Sequence, residues 1–131
     1  MSHAELLRNH LANAGKPRSD QNAEIYAVDV TVEFPYAPEG HTRELNGVEP
    51  VLAFFSRISS FALGFSLSEP TLLSSGDTFV AEYHGSATFK STGLPYEQDY
   101  VLVGTVQDGK IVKLREHYDG LRVLRALGEI P

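Results

Sequence analysis

The strongest constraint on the fold of this chain lies near its C-terminus, in a segment that alternates between apolar and polar residues. The segment covers residues 111–119 and follows a Gly-containing turn at 107–110. Alternation over this length is typical of a strand with one face toward the protein interior. The even positions form the apolar face: Val112, Leu114, Glu116 and Tyr118. A carboxylate, Glu116, therefore interrupts a face that should be buried.

Glu116 on such a face is a candidate general acid/base. Desolvation disfavours the charged form of a carboxyl group and can raise its pKa by roughly 3–5 units. A carboxyl group that titrates near neutral pH can exchange protons with a substrate. Two other interpretations stay open at this point: a β-bulge that returns Glu116 to solvent, or a buried salt bridge.

The remaining patterns place helices early in the chain and strands late. Ser2 and Glu5 form a capping box for an amphipathic helix, and Pro50 lies in the first turn of a second apolar one. The predicted elements are a helix ending near residue 15, a short helix reaching residue 26, a strand at 28–36, the helix opened by Pro50, strands at 63–74, 78–89, 96–106 and 111–119, and a last helix at 121–127.

This order predicts an α+β fold in which a curved antiparallel sheet wraps on the N-terminal helices and encloses a cone-shaped cavity. A length of 131 residues suits a single domain, 1–131. Inward-facing positions on three strands would supply the polar groups of the cavity: Tyr83, Tyr100 and Tyr118. A phenol there can donate a hydrogen bond to a substrate carbonyl or enolate, can position Glu116, or can simply be a core side chain.

The predicted catalytic residues are therefore Glu116, Tyr118, Tyr100 and Tyr83. The walls are predicted to bind an apolar, ring-containing small molecule, and the residues assigned to them are Val32, Phe34, Phe54, Leu102 and Leu114. On the opposite sheet face, Val101 and Val103 lie among charged residues. Exposed β-branched side chains at such positions favour a homodimer through that face.

Composition and spacing argue against several other functions. A net charge of −6 disfavours nucleic acid and anionic membrane as partners. The chain has no cysteine, and its histidines lack the spacing of metal ligands, so we expect neither thiolate chemistry nor a metal. The glycines match no dinucleotide or phosphate motif, which predicts the absence of such a cofactor. No signal peptide or membrane-length apolar stretch is visible, and a cytoplasmic location follows by default.

Several short stretches resemble known proteins. The segments 107–111, 115–116 and 124–128 resemble the C-terminal half of SnoaL-like polyketide cyclases, and residues 26–38 with Gly47 are similar to the first strand and loop of the same family. The same segments resemble the phenazine biosynthesis A/B proteins. Both groups belong to the nuclear-transport-factor-2-like superfamily, together with the ketosteroid isomerases. The resemblance implies a cystatin-like α+β barrel.

Carried over residue by residue, the resemblance implies one site residue and removes others. The acid/base of the cyclases falls on Glu116, where the phenazine proteins also have a Glu. The general base of the ketosteroid isomerases would fall on Phe34. Their oxyanion-hole Asp would fall near Leu102, and the second polar residue of the cyclases would fall near Leu102 as well. The helix His of the phenazine proteins would fall near Phe54. None of these three side chains can do that chemistry, so steroid isomerisation is disfavoured, and epoxide hydrolysis is disfavoured for want of an Asp-Arg-Asp set.

Two functional classes remain open from the sequence. The first is a cofactor-independent enzyme of the cyclase, isomerase or lyase kind, in which Glu116 transfers a proton inside an apolar cavity. The second is a noncatalytic module of the same fold, in which the cavity holds an apolar ligand or the sheet face holds a protein partner.

Overall fold

The structure, a computed structural model, describes all 131 residues and has helices on one side of a seven-stranded sheet. The elements are α1 (His3–Asn13), a 3-10 turn (Arg18–Asp20), β1 (Tyr26–Glu33), β2 (Glu44–Asn46), α2 (Val48–Ser56), α3 (Ile58–Phe61), β3 (Ala62–Leu67), β4 (Thr71–Ser75), β5 (Thr78–Phe89), β6 (Pro95–Gln107), β7 (Lys110–His117) and α4 (Gly120–Ala126). The sheet order is β2-β1-β7-β6-β5-β3, with β4 also paired to β5. The α+β architecture with a curved sheet is confirmed.

One pairing departs from the predicted antiparallel sheet. Strands β1 and β7 run parallel, with Val32 opposite Leu114, whereas the other strand pairs are antiparallel. A hairpin can join only antiparallel strands, and parallel neighbours need a long connection. Here the connection runs from residue 34 to residue 109, so no local sequence signal marks this pair.

The strand expected at 63–74 is two strands in the structure. Residues Ser68, Glu69 and Pro70 separate β3 from β4, and Pro70 has no N–H to donate to a ladder. Strand β3 pairs with the C-terminal half of β5, and β4 pairs with its N-terminal half. The interruption therefore allows one long strand to carry two short neighbours along the same edge.

The N-terminal helix begins where the capping box predicts. Ser2 Oγ accepts a hydrogen bond from the Glu5 backbone N–H at 3.1 Å, and Glu5 Oε1 accepts from the Ser2 N–H at 3.2 Å. The predicted second helix is wrong: only the 3-10 turn forms, and Tyr26 begins β1. Helices α1 and α2 then cover part of the inner sheet face, and they bury chiefly Leu6, Leu7, Val51 and Leu52.

Two strands change face along their length, which the alternation pattern does not reveal. In β7 the pairing shifts between Lys113 and Ile111, so that Ile111 is fully buried and Val112 only partly, the reverse of the prediction. The bulge supplies one extra residue and so inverts the alternation on one side of it. In β1 a similar irregularity leaves Val28 83% exposed, although simple alternation would place it on the same face as the buried Val30 and Val32. Beyond these bulges, Leu114 and Glu116 lie on the inner face as predicted.

Candidate active site

A cavity of about 340 Å³ lies between the inner face of the sheet and the helices. Seventeen of its 21 lining residues are hydrophobic, so the cavity suits an apolar molecule of modest size. The remaining lining residues are His10, His41, Thr42 and Glu116. Glu116 is therefore the only carboxylate in a mostly apolar wall.

Aromatic rings make up much of the lining. They come from the sheet, from α2 and α3 and from the segments that follow β1 and β7: Phe34, Phe54, Phe55, Phe61, Phe65, Tyr83, Phe89, Tyr96, Tyr100 and Tyr118. Phe34 and Phe54 lie with ring centroids 5.1 Å apart, and Phe89 stacks on Tyr96 at 4.7 Å. Rings in such arrangements offer flat contact surfaces with few hydrogen-bonding groups.

Glu116 reaches the cavity from the C-terminal half of β7, opposite Leu102 of β6. The Tyr83 hydroxyl donates a hydrogen bond of 2.9 Å to its Oε1 atom, and no basic side chain forms an ion pair with it. Burial raises the pKa of Glu116 to about 7, while the Tyr83 hydrogen bond acts in the opposite direction. The two alternatives left by the sequence, a solvent-facing bulge and a salt bridge, are not what the structure shows.

Two of the three candidate tyrosines form a connected group beside Glu116. Tyr83 and Tyr100 are cross-strand partners whose rings stack at 5.1 Å. The Tyr100 hydroxyl forms a 2.9 Å hydrogen bond with the hydroxyl of Tyr96. Burial raises the pKa of Tyr83 and of Tyr100 well above the ordinary value, so both phenols keep their protons at neutral pH.

Tyr118, the third candidate, differs from the other two. It follows β7, lines the cavity, and packs its ring 6.3 Å from that of Phe34. Its side chain is only partly buried, and its hydroxyl group makes no hydrogen bond within the protein. Burial, followed by the nearby Glu116 carboxylate, raises the pKa of Tyr118 to about 12. Tyr118 therefore has a protonated phenol free to donate to a ligand.

The buried amide of Gln98 fixes the segment that carries Tyr118. Its Nε2 donates to the Asp119 carbonyl at 2.9 Å, and its Oε1 accepts from the Asp119 N–H at 3.0 Å. Gln98 is 0% exposed, so these bonds are sheltered from water. The chain immediately after Tyr118 is thus held to β6.

The predicted wall residues divide into two groups. Phe34 and Phe54 line the cavity as expected. Val32, Leu102 and Leu114 do not: each is 0% exposed and belongs to the main hydrophobic core with the buried side chains of α1 and α2. The helices fill the space over this part of the sheet, so an inward-facing residue here becomes core and not wall.

Six of the 21 lining residues were candidates from the sequence, and Tyr96 and His10 are among those that were missed. Tyr96 lies four residues before Tyr100 on the same strand face, and this spacing was a usable signal. His10 is on α1, 2% exposed, with its ring at the cavity wall. Nothing in the helix pattern distinguishes a histidine that faces a cavity from one that faces the core.

No three His, Asp or Glu side chains are grouped so that they could hold a metal ion. Among the helices, none has the length and apolar character that spanning a membrane requires.

Sequence comparison identifies the family. The SnoaL-like domain model matches residues 7–114. The chain belongs to the SnoaL-like domain family. The match covers α1 through most of β7 and ends two residues before Glu116, so the place of Glu116 in the site rests on the geometry above.

Relatives of this SnoaL-like protein agree with the assignment. The uncharacterized Bacillus subtilis protein YesE is 31% identical over 126 residues, which are 95% of this chain and 86% of that protein. An uncharacterized PhzA/B-like protein of Pseudomonas aeruginosa is 29% identical over 109 residues, covering 82% and 77% of the two chains. The resemblance to the phenazine proteins is thereby confirmed at the level of family.

Solved structures give the fold. A Bacillus subtilis protein described as a candidate isomerase superposes with a TM-score of 0.83 at 30% identity, over 96% of this chain and 92% of that one. A Catenulispora acidiphila protein with a ketosteroid isomerase-like fold, solved with trimethylamine, superposes with a TM-score of 0.80 at 15% identity, over 97% and 94%. A nuclear-transport-factor-2-like protein of Burkholderia xenovorans superposes with a TM-score of 0.77 at 23% identity, over 93% and 92% of the two chains. This SnoaL-like chain therefore has the nuclear-transport-factor-2-like fold.

Proposed function

We propose that this protein is a cofactor-independent enzyme of the isomerase or cyclase kind, in which Glu116 transfers a proton within a small aromatic substrate. The observation that carries the proposal is the position of Glu116: a single carboxyl group, hydrogen-bonded by a phenol and free of any counter-cation, in an aromatic cavity of about 340 Å³. The Bacillus subtilis structure described as a candidate isomerase, which is 30% identical over nearly the whole chain, supports an isomerase-like activity.

The electrostatics suit both directions of proton transfer. With a pKa of about 7, Glu116 is present near neutral pH as comparable amounts of carboxylate and carboxylic acid. The carboxylate can take a proton from a carbon next to a carbonyl, and the resulting acid can return it at a different carbon. The C–H electron pair passes into the enolate. In an isomerisation, the Glu116 acid reprotonates the enolate at a different carbon. In a ring closure, the enolate carbon attacks a second carbonyl carbon, the electron pair of that C=O π bond moves to its oxygen, and this oxygen takes the proton from Glu116.

The neighbouring phenols can support this step in different ways. Tyr83 donates to Oε1, which leaves Oε2 of Glu116 free to accept and release the substrate proton. The Tyr118 hydroxyl has no partner in the protein and lines the same cavity, so among these phenols it is the one free to donate to an enolate oxygen. Tyr100 bonds Tyr96 instead, and we assign it to holding the Tyr83 ring in place.

A noncatalytic ligand-binding role is the second candidate. It is favoured by one observation: the hydroxyls of Tyr83, Tyr96 and Tyr100 are already engaged with protein groups, which leaves few donors for a developing charge. In that case Glu116 only orients the ligand, and the cavity serves as a binding site.

Hydrogen–deuterium exchange of a fused-ring ketone separates the two functions. In deuterated buffer, the wild-type protein should accelerate exchange at the carbons next to the carbonyl of 2-tetralone, followed by NMR. Glu116→Gln should reduce the acceleration by at least about 100-fold, the usual contribution of a general base. Glu82→Gln, the same substitution on the exposed outer side of β5, is the matched control and should keep full activity.

Binding of 2-tetralone without accelerated exchange would support the binding module. Acceleration that survives in Glu116→Gln would remove Glu116 from the mechanism.

A further inference from the structure

His10 is a polar group at the cavity wall that the proposed proton transfer does not use. It lies on α1, 2% exposed, with its ring edge-to-face against Phe55 at 5.0 Å and against Tyr26 at 5.9 Å. In such an apolar setting, each of the two ring nitrogens needs a hydrogen-bond partner in the protein or access to a ligand or water that can serve as one. Which nitrogen carries the proton decides what the ring can offer a ligand.

A network of hydrogen bonds behind α1 determines which nitrogen of the His10 ring carries the proton. The Asn13 side chain faces the backbone of Asn22: its Oδ1 accepts from the Asn22 N–H at 2.8 Å, and its Nδ2 donates to the Asn22 carbonyl at 3.1 Å. A backbone N–H only donates and a carbonyl only accepts, so the orientation of this amide is unambiguous. The same Nδ2 lies 3.3 Å from the Tyr26 hydroxyl oxygen, which therefore accepts.

The hydrogen bond from Asn13 to the Tyr26 hydroxyl also fixes the direction of the bond between Tyr26 and His10. Its oxygen accepts from Asn13, and His10 Nδ1 is its other neighbour, at 2.7 Å. If Nδ1 carried the proton, the buried Tyr26 O–H donor would have no acceptor, which is strongly disfavoured. Tyr26 therefore donates to Nδ1, and the ring proton is on Nε2. Burial lowers the pKa of His10 to about 4, so the ring is neutral at neutral pH.

The Nε2–H has no acceptor in the protein. The only hydrogen bond of the ring is the one at Nδ1, and Nε2 is not among the unpaired polar atoms that the protein encloses completely. His10 itself lines the cavity. The structure thus presents a neutral donor with a fixed proton at the α1 wall, while Glu116 projects from β7 of the sheet.

We propose that His10 is a second anchor of the ligand site, where its Nε2–H donates a hydrogen bond to a carbonyl oxygen of a fused-ring aromatic ligand. This inference deepens the proposed function and rests on it for the identity of the site. The donor disfavours a group that can only donate at this point, such as an ammonium or an indole N–H. His10 is in the C-terminal half of α1, the negative end of the helix dipole, which favours a neutral acceptor over an anionic one.

The first experiment tests the tautomer in the wild-type protein. Nitrogen-15 NMR of the histidine rings should show His10 neutral, with the proton on Nε2 and with Nδ1 as an acceptor. The hydrogen bond from Tyr26 moves the nitrogen-15 chemical shift of Nδ1 upfield, so Tyr26→Phe should move that shift downfield. A proton on Nδ1 in the wild-type protein would overturn the proposal.

The second experiment tests the donor with two probes of matched shape, 2-acetylnaphthalene and 2-ethylnaphthalene. The wild-type protein should bind the ketone about 3- to 10-fold more tightly, the range of one net neutral hydrogen bond. His10→Phe should abolish that preference while both probes still bind. His41→Phe, the same change at another lining histidine, is the comparison: loss of the preference there with retention in His10→Phe would overturn the proposal.

A readout in the unmodified chain covers the case in which His10→Phe does not fold. Addition of 2-acetylnaphthalene should shift the His10 Nε2 and Hε2 resonances, and 2-ethylnaphthalene should shift them less; equal shifts would overturn the proposal. Glu116→Gln should keep the ketone preference, because the anchor is on the opposite wall. Loss of deuterium exchange in that variant and loss of the ketone preference in His10→Phe are therefore independent outcomes.

Discussion

The hydroxyl group of Tyr83 donates a 2.9 Å hydrogen bond to Glu116 Oε1 although the two residues lie on strands that are not neighbours. Strand β6 lies between them, with Tyr100 opposite Tyr83 and Leu102 opposite Glu116. The bond therefore spans the inner face of three strands at the wall of the cavity. It connects the one carboxyl group of the cavity to a stacked pair of phenols, and it stabilises the carboxylate against the effect of burial.

Glu116→Gln should stabilise the protein at neutral and alkaline pH. The folded-state pKa of Glu116, about 7, lies above the ordinary 4.5, so the native state binds the proton more tightly than the unfolded chain does. Its contribution to stability is fully present below the unfolded pKa and is lost as pH rises from 4.5 through 7. The variant should gain roughly 2–3 kcal/mol over wild type at pH 8, less at pH 5, measured by urea unfolding. Glu82→Gln should show no such pH-dependent difference.

Tyr83→Phe should raise the pKa of Glu116 further. The Tyr83 hydroxyl is the group that lowers this pKa against the effect of burial, because it stabilises the carboxylate by donating to it. Carbon-13 NMR titration of the glutamate carboxyl carbons would give the midpoint. Tyr118→Phe, which removes a hydroxyl that does not bond Glu116, is the control. An unchanged midpoint in Tyr83→Phe would mean that the hydrogen bond does not hold in solution.

Gly104→Ala should destabilise the fold by roughly 1–3 kcal/mol, the usual cost of overpacking a core. A Cβ atom at Gly104 would lie 2.2 Å from Phe79 Cζ, and Phe79 is its cross-strand partner with only 1% exposure. The Phe79 ring is buried in the main core, so a shift away from the methyl group would displace its core neighbours. Thermal denaturation would show the loss. The double variant Gly104→Ala with Phe79→Leu should lose less than the two single changes combined, because the smaller side chain leaves room for the methyl group.

His84→Gln should lower stability at acidic pH and leave it nearly unchanged at alkaline pH. His84 lies on the outer sheet face, with Nδ1 2.9 Å from Asp99 and Nε2 2.6 Å from Glu97. Hydrogen bonds to Asp99 and then Glu97 raise the pKa of His84. A raised folded pKa stabilises the protein below the unfolded pKa, and the contribution disappears as pH rises through the folded value. Melting temperatures at pH 5.5 and 8.5 would test this; the same small difference at both would refute the ion pairs.

The chain should sediment as a homodimer of twice 14.4 kDa through the outer sheet face. On that face Val80 is 36% and Val101 38% exposed, on adjacent strands. A second copy would cover this apolar strip. Val101→Lys should shift sedimentation toward the monomer at micromolar concentration. Leu121→Lys, which alters an exposed leucine on α4, should not. A monomeric wild-type protein would exclude the dimer.

Much of the fold could be predicted from the sequence because it depends on local interactions. The capping box at Ser2 sets the start of α1, and β5 has the predicted bounds, because strand alternation and turn glycines act over a few residues. The inward orientation of Glu116 followed from the same alternation. Its phenol partner could be proposed from the sequence only as one of three tyrosines.

Only the tertiary structure decided which inward-facing residues belong to the core and which line the cavity. Periodicity reports the face of a strand but not what covers it, so Leu102 and Leu114 could not be distinguished from Phe34 until α1 and α2 were placed. The bulge in β7 and the parallel pairing of β1 with β7 depend on contacts between residues distant in the chain. The proton position on His10 depends on Asn13 and Tyr26 meeting behind the cavity, which no spacing along the sequence specifies.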